Sequence, residues 1–594
     1  MIVMSAPQLN PRLISLLAVC FSLVTVLVVL FLIRYPKFAR QQVVEQLIFK
    51  NGSFQMQNFH STEELKSLSV TFNLFNVTNA NEVINNNAKI RVSEIGPFVY
   101  HEIKVKDFTQ NDQVNGLITY KLRKRFIFDP DRSIADPKLV LITWPNVPML
   151  AAEGALEKIP FFEREPARLG IEAAVVAFNE QPFITDTAEN LLFKGSQRKI
   201  FEALQKLDLI KFFDPWPLKD NRFGLLYGKN DTWDYERDYL YTMSTGFGPN
   251  QTYENLNQFV YINGSKSLPF WFRDSPDCNE LYGTDGEFFA PFMSSPAQLE
   301  VYSMDICRRL TFRFAGNAFI KGLDVQKYVL DGKSWQSSDK NKCYCLQRDT
   351  FGKLEPECSL DGLIDLSNCV APNVVASGAH FFNGSKELRG RIDGLVPDRA
   401  ELDEPYTYIE PNTGLSISVR VPMQMNVRLK RGGLRMFQFY QEDKSLIIPL
   451  ALVTESAELD RNQAAQLRNK LLLLDSWLIG MILGGTTFFV LALFVIGCLS
   501  FTSYQSARSQ QRQNKQQHLV ASVNGKRRQC NNWIYNEQES IDDDDDDEGN
   551  DSLKWTTKQK SQDRLSHETE PLIISATTAN KTTMIKPPQY YQSL

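Results

Sequence analysis

Histidine is scarce in this sequence, and neither sign of charge dominates it. Five histidines among 594 residues leave little material for imidazole catalysis. Lysine and arginine number 65 against 69 aspartates and glutamates, a net charge of −4, which argues against nucleic acid as a partner of the whole chain. A composition of 43% hydrophobic and 23% charged residues excludes disordered, collagenous and small disulfide-scaffold classes. No internal repeat appears at solenoid or propeller periods. What is unevenly missing is charge, because one block near each end has none.

The first block, Leu13 to Ile33, and the second, Trp477 to Phe501, are each long enough to cross the ~30 Å hydrocarbon core as a helix. A cleaved signal peptide would have an apolar stretch of about 7–15 residues followed by a small-residue cleavage site. Here the run is longer and continues into Arg34-Tyr35-Pro36-Lys37, so it reads as an uncleaved anchor. Gly480 and Gly484 have the spacing that lets two membrane helices approach, which predicts pairing with the first span. Arg34, Lys37 and Arg40 leave the orientation of the first span ambiguous. Arg508, Arg512, Lys515, Lys526, Arg527 and Arg528 follow the second with no acid among them, which indicates the cytosol. Asn51, Asn76, Asn230, Asn250, Asn263 and Asn383 begin Asn-x-Ser/Thr triplets between the spans, as expected of a glycosylated luminal or extracellular domain. The expected layout is a cytosolic N-terminus over 1–12, a span over 13–33, a luminal or extracellular domain over 34–476, a span over 477–501, and a disordered cytosolic tail over 502–594. Both termini then face the cytosol.

Cysteine divides in the same way. Cys20 and Cys498 lie in the apolar blocks and Cys530 in the tail, while Cys278, Cys307, Cys343, Cys345, Cys358 and Cys369 cluster in the central domain. An even, clustered set on the oxidising side of a membrane reads as three disulfides. Cys343-Tyr-Cys345 also admits a zinc reading, and spacing alone leaves about 15 pairings open. Cys498 sits where acylation occurs, although burial as a small apolar residue is the commoner role.

The central domain alternates short β-branched stretches with helical patterns. Residues 69–77, 117–122, 415–421 and 445–450 read as strands, and 167–178, 187–204 and 457–474 as helices. An antiparallel sheet with inserted helices, an α+β architecture, fits this pattern. Among its residues His60, His101 and His380 belong to no His-Glu-x-x-His helix, and there is no Gly-x-Ser-x-Gly elbow. Gly332-Lys-Ser334 has Lys327 where a phosphate loop needs glycine. The expectation is a non-enzymatic protein without catalytic residues, cofactor or metal.

Several local sequences carry a likeness: Phe72-Asn-Leu-Phe-Asn-Val-Thr-Asn79, Gly96-Pro-Phe-Val-Tyr100, Gly283-Thr-Asp285 with Pro291-Phe292, Asp305-Ile-Cys307, Cys343-Tyr-Cys345 and Tyr408-Ile-Glu-Pro-Asn-Thr-Gly414. In this order between two spans the chain resembles the class B scavenger receptor family. The resemblance implies a large antiparallel β-barrel domain with a helical apex, and an apolar tunnel leading lipid towards the bilayer. It also implies ligand capture on the apical helices and the pairs Cys278–Cys343, Cys307–Cys369 and Cys345–Cys358. One departure concerns residues 151–180, where Glu153, Glu157, Glu163, Glu165, Glu172 and Glu180 face only Lys158, Arg164 and Arg168. That balance has the wrong sign for capturing polyanions, and a solvated helical face with intrahelical ion pairs is expected there.

The tail carries a basic stretch (508–528) before the acidic run 542–548, a composition that solvates rather than folds. Glu568 stands four residues before Leu572-Ile573 and resembles an acidic dileucine lysosomal sorting signal. Tyr591-Gln-Ser-Leu594 fits the tyrosine-based pattern. Both imply clathrin adaptor partners and endosomal or lysosomal routing, with the plasma membrane as the alternative. The leading functional reading is a receptor for lipid or lipoprotein ligands that passes lipid through the domain to the bilayer. The rivals are a sorting receptor for a luminal hydrolase and a cell-surface adhesion or recognition receptor. A fatty acid, sterol or phospholipid, a luminal protein ligand and a second copy of the chain are the partners these readings call for.

Overall fold

The computed structural model describes residues 11–53, 55–56, 68–208, 220–230, 239–249, 251–271, 276–294, 297–350, 353–396 and 399–533. The chain forms two units, Leu9–Ser500 and a second made of Met1–Gln8 with Phe501–Leu594. The barrel and the two apolar helical segments up to Ser500 belong to the first.

Thirteen strands make one antiparallel sheet. They are β1 (Leu68–Val77), β2 (Val92–Asp112), β3 (Leu117–Asp129), β4 (Tyr241–Ser244), β5 (Phe259–Ile262), β6 (Gln298–Ser303), β7 (Arg308–Ile320), β8 (Leu323–Leu330), β9 (Leu363–Asp365), β10 (Val374–Gly378), β11 (Tyr406–Glu410), β12 (Leu415–Leu429) and β13 (Leu446–Glu458). Their order is β6-β7-β8-β11-β12-β13-β1-β2-β3-β4-β5, with β10 adding to β12 and β9 to β10. The two edges meet through Gly283-Thr284. Phe259 N–H donates to Gly283 O (2.9 Å), Thr284 N–H to Glu300 O (3.0 Å) and Tyr302 N–H to Thr284 O (2.9 Å). Closure of this kind removes the unpaired edges of an open sheet. Gly283 is needed at the seam, since its φ is +109° and a Cβ would fall 2.7 Å from Glu300 O.

Two helices of membrane length flank the barrel: α1 (Pro11–Leu47) and, at the far end of the chain, α4 (Arg461–Trp533). Their uncharged stretches can satisfy the backbone within a bilayer only as helices. Two further helices, α2 (Val147–Leu156) and α3 (Phe161–Phe178), lie between β3 and β4. The core packs inside the sheet and under these helices, with Phe72, Leu74, Phe75, Phe98, Trp144 and Ile171 fully enclosed.

The sequence expectations fail in five places. The helix expected over 187–204 is broken at Gly195, whose φ of +79° ends the turn before Ser196-Gln197 pairs with Arg222-Phe223. The helix expected from 457 begins at Arg461, because Ala457 and Glu458 still pair within the sheet. Asp460 then caps it reciprocally: its Oδ1 accepts from Gln463 N–H (2.8 Å) and Gln463 Oε1 accepts from Asp460 N–H (3.2 Å). That helix continues to Trp533 through residues read from sequence as disordered, because the Gln, Arg, Lys and Ala of 505–528 are good helix formers uninterrupted by proline. The spans do pair, with Phe21 stacking on Phe488 and Phe489 at 6.3 and 5.4 Å, but not through the Gly480/Gly484 spacing. A Cβ on either would meet nothing within 4 Å, whereas one on Gly485 would lie 3.2 Å from Val28 Cγ1. Cys498, expected to be buried, is exposed.

Candidate ligand-handling site

The barrel has two distinguishable ends. β3 starts beside α1, where Phe49 N–H donates to Thr245 O (3.0 Å) and Thr245 N–H to Gly116 O (2.9 Å). β12 starts beside α4, where Leu415 and Ile417 pack with Ala464 and Leu467. Leu415 also bridges to Phe288, which packs against Phe49 just after α1, and β12 then runs roughly 46 Å, at ~3.3 Å per residue, to the end where the segment after Leu429 meets α2 and α3. The apical helices therefore lie remote from both spans.

Every residue of α2 is buried. Asn146 starts it, its Oδ1 accepting from Met149 N–H (3.4 Å) while its Nδ2 donates to Glu180 (3.0 Å) and Gln181 O (2.8 Å). This corrects the expectation of a solvated acidic face at Glu153, whereas Glu163 and Glu165 on α3 are exposed as expected. Glu153 is enclosed, and burial pushes its carboxyl up to about 7 despite the nearby Lys430. Glu157 and Glu172 are matched from outside their own helices by the segment 430–435. Lys430 Nζ lies 2.6 Å from Glu157 and Arg435 Nε 2.9 Å from Glu172, and Arg168 donates to Gly432 O at 3.2 Å. Arg168–Glu165, at 3.8 Å, is an intrahelical pair. Counting Lys430, Arg431 and Arg435, six bases meet the six acids of 151–180, with Arg431 paired to Asp443. Sequence reasoning missed the segment because more than 250 residues separate it from α3, although Lys-Arg-Gly-Gly-Leu-Arg at the end of a strand was a visible basic cluster.

α3 has one buried face, at Ile171 and Ala174, and an apolar face turned to solvent. Phe162, Leu169 and Val176, seven residues apart, are 77%, 60% and 81% exposed. Pro166 and Ala173 fill the positions between them and are exposed too. Side chains at i, i+4 and i+7 share one face of a helix, so the five form a continuous ridge flanked by exposed Phe161.

Inside the barrel the core-facing side of β2 reads Tyr100, Glu102, Lys104, Lys106, Phe108, and that of β3 reads Ile118, Tyr120, Leu122, Lys124, Phe126. Tyr100 and Phe126 belong to the large apical core. Phe108, Leu122, Tyr120 and Ile118 belong to a second cluster with Phe49 and Phe288, towards the spans. Between the clusters lies a charged belt. Lys106 Nζ is 3.0 Å from Asp285 and 2.7 Å from Glu287, and Lys104 is 3.7 Å from Glu287. Lys124 is 3.3, 3.5 and 3.9 Å from Glu102, Asp305 and Glu455. Burial disfavours the Lys106 ammonium, yet Asp285 and Glu287 outweigh it and hold the pKa well above its ordinary value. Burial likewise opposes ionisation of Glu287, but Lys106 and Lys104 bring it down to about 2.

The disulfides pair Cys278 with Cys343, Cys307 with Cys369 and Cys345 with Cys358, the arrangement the family resemblance implies. Of the sequon asparagines, Asn51, Asn230, Asn263 and Asn383 are exposed and Asn76 is half-buried in β1. Asn250 lies outside the described residues, as do Glu568, Leu572, Ile573, Tyr591 and Leu594 of the sorting motifs. His380 is buried between two carboxylates, Nδ1 3.0 Å from Asp403 and Nε2 3.0 Å from Glu94, with no nucleophile in contact among the described residues. Those residues also contain no His/Cys/Asp/Glu group able to hold a metal ion.

Barrel, staples and paired helices define a two-span membrane protein with a large disulfide-bonded domain between its spans. The chain belongs to the CD36 family, whose model matches residues 17–500, and is thus a scavenger-type membrane receptor. It is 28% identical to human lysosome membrane protein 2 over 438 residues, 73% of this chain and 84% of that one. It is similarly 28% identical to sensory neuron membrane protein 1 of Apis mellifera, over 71% of this chain and 79% of the relative. The Bombyx mori sensory neuron membrane protein 1 is 27% identical over 67% and 74%.

Proposed function

We propose that this receptor captures lipid or lipoprotein ligands on the α3 ridge and passes lipid through the barrel interior to the bilayer. The observation that carries the reading is the ridge itself: five apolar side chains open to solvent at the end remote from the spans. A soluble surface leaves a contiguous apolar patch uncovered only where something binds it. Carrying an acyl chain through water costs about 0.8 kcal/mol per CH₂, and a route lined for most of its length by the two apolar interior clusters lowers that cost. The name of the lysosome membrane relative and the Glu568/Leu572-Ile573 and Tyr591/Leu594 motifs together favour an endosomal or lysosomal membrane, clathrin adaptors and cytosolic termini. Glycans on the sequon asparagines suit the opposite side.

The test is photoactivatable lipid cross-linking in intact membranes followed by peptide mapping. Label on α3 and on the core-facing residues of β2 and β3 supports the reading, and label confined to the spans overturns it. A second reading is favoured by the seven-residue spacing of Phe162, Leu169 and Val176, which fits a helix of a luminal protein ligand such as a hydrolase. Protein cross-links from α3 with no lipid label in the barrel would select it.

A further inference from the structure

The route proposed above is not apolar throughout, because the charged belt interrupts it. On the core-facing side of β2 three consecutive positions, Glu102, Lys104 and Lys106, are charged between Tyr100 and Phe108. The belt is also not sealed. Asp305 keeps 57% of its side-chain surface open and Glu287 and Glu455 each keep 37%, whereas Glu102 is wholly enclosed. Buried ion pairs are poor stabilisers compared with apolar packing, so a belt across a barrel core has to be explained by something other than stability.

Its composition sets what it accepts. Five acids, Glu102, Asp285, Glu287, Asp305 and Glu455, face Lys104, Lys106 and Lys124, each within 4 Å of at least one acid, with Lys229 also acting on Asp305. A carboxylate arriving here would add to the excess negative charge and would have to displace an acid already in place. The belt's unsatisfied atoms are acceptors. Oε2 of Glu102 and Oδ1 of the fully buried Asn257 accept no hydrogen bond, while Glu102 Oε1 lies 3.3 Å from Lys124 Nζ. The Asn257 amide is held beside the belt by donating to Asp285 Oδ1 (2.6 Å) and Phe288 O (3.0 Å). Buried acceptors without a donor cost about 1–3 kcal/mol each, and a donor supplied by a ligand recovers that.

We propose that the belt around Glu102 is a head-group station that binds uncharged amphiphiles through a donated hydroxyl and turns away amphiphiles with a carboxylate head. This rests on the lipid-passage reading and adds a selectivity to it. The apolar clusters on either side hold the body of the ligand while its hydroxyl sits at Glu102.

The experiment uses the full-length glycosylated chain in liposomes and two photoreactive probes with the same tail, hexadecanol and hexadecanoate, at about pH 9, where the acid is ionised. Peptides covering residues 99–108 and 117–126 are quantified after cross-linking. Hexadecanol is expected to label them at least about tenfold more than hexadecanoate, the factor that one lost hydrogen bond supplies. Glu102→Gln, which replaces one acceptor with a donor, is expected to lower alcohol labelling several-fold. Equal labelling of the unmodified protein by the two probes overturns the head-group station while leaving lipid passage standing. Labelling of the spans alone, by both probes, overturns the passage reading and the station with it. The first comparison needs no variant, and Glu455→Gln on the open side of the belt covers failure of Glu102→Gln to fold.

Discussion

Gly433 lies with its Cα against the buried carboxylate of Glu153, so close that a Cβ there would fall 2.2 Å from Oε2. The basic segment 430–435 can reach across α2 to α3 only because nothing projects from that glycine. Gly433→Ala is expected to destabilise by about 1–3 kcal/mol through overpacking. Since Glu153 is the group it would strike, Glu153→Ala in the same chain should return most of the loss, a coupling that a double-mutant cycle of unfolding midpoints reads directly.

The same carboxyl gives a pH dependence of defined sign. Burial raises it from 4.5 to about 7, so the folded state holds the proton more tightly than the unfolded chain. Its contribution is fully present below pH 4.5 and is lost as pH rises through about 7, an effect on the order of 3 kcal/mol. Glu153→Gln should flatten thermal stability between pH 4.5 and 7 and raise it at pH 7.5. An unchanged slope would show that the carboxyl is not held neutral.

His380 works in the alkaline direction. Burial opposes its charge, but Asp403 and Glu94 hold the pKa up to about 9 from 6.5. The stability it contributes is complete below pH 6.5 and disappears as pH rises through about 9. Replacing it with Gln leaves two carboxylates facing each other without the cation between them, with an expected loss of about 3–5 kcal/mol, seen as a lowered unfolding midpoint at pH 7. At pH 10 the gap between the variant and the unmodified chain should narrow markedly.

These residues also mark how far the sequence was readable. The spans and strands such as 69–77 were legible because each announces itself within a window shorter than one element, and the six cysteines because their even number and clustering show without any structure. Gly195 was missed because a helical pattern of side chains says nothing about the positive φ of one glycine inside it. The belt was hidden for a different reason. Lys104 and Lys106 alternate with apolar neighbours as an outward-facing strand would, and only the register against β3 puts them inside. Glu153 looked solvated because α2 is so thoroughly apolar that its one acid was counted with the acids of α3. Contacts across more than 250 residues, such as Lys430 with Glu157, have no local signature.

Within the spans, the contact glycine is Gly485. Gly485→Leu is expected to push α1 and α4 apart, because its Cβ would start 3.2 Å from Val28 Cγ1 and tight helix approach in membranes depends on small residues. The check is disulfide cross-linking between cysteines placed at Phe21 and Phe488. The yield should fall sharply with Gly485→Leu and remain with Gly480→Leu, whose Cβ direction is open.

The α3 ridge separates ligand capture from stability. Leu169 and Val176 are 60% and 81% exposed, and exposed positions tolerate substitution within about 0.5 kcal/mol. Leu169→Glu with Val176→Glu should therefore leave the unfolding midpoint nearly unchanged. The pair places two charges in the middle of the apolar surface, where a ligand would have to desolvate them, and uptake of labelled lipoprotein by cells expressing the chain should fall at least about tenfold. Ile171→Glu, on the buried face of the same helix, should do the reverse: misfolding and loss from its membrane before binding is ever at issue. If the exposed pair is silent in uptake while the chain reaches its membrane intact, α3 is not where ligand lands.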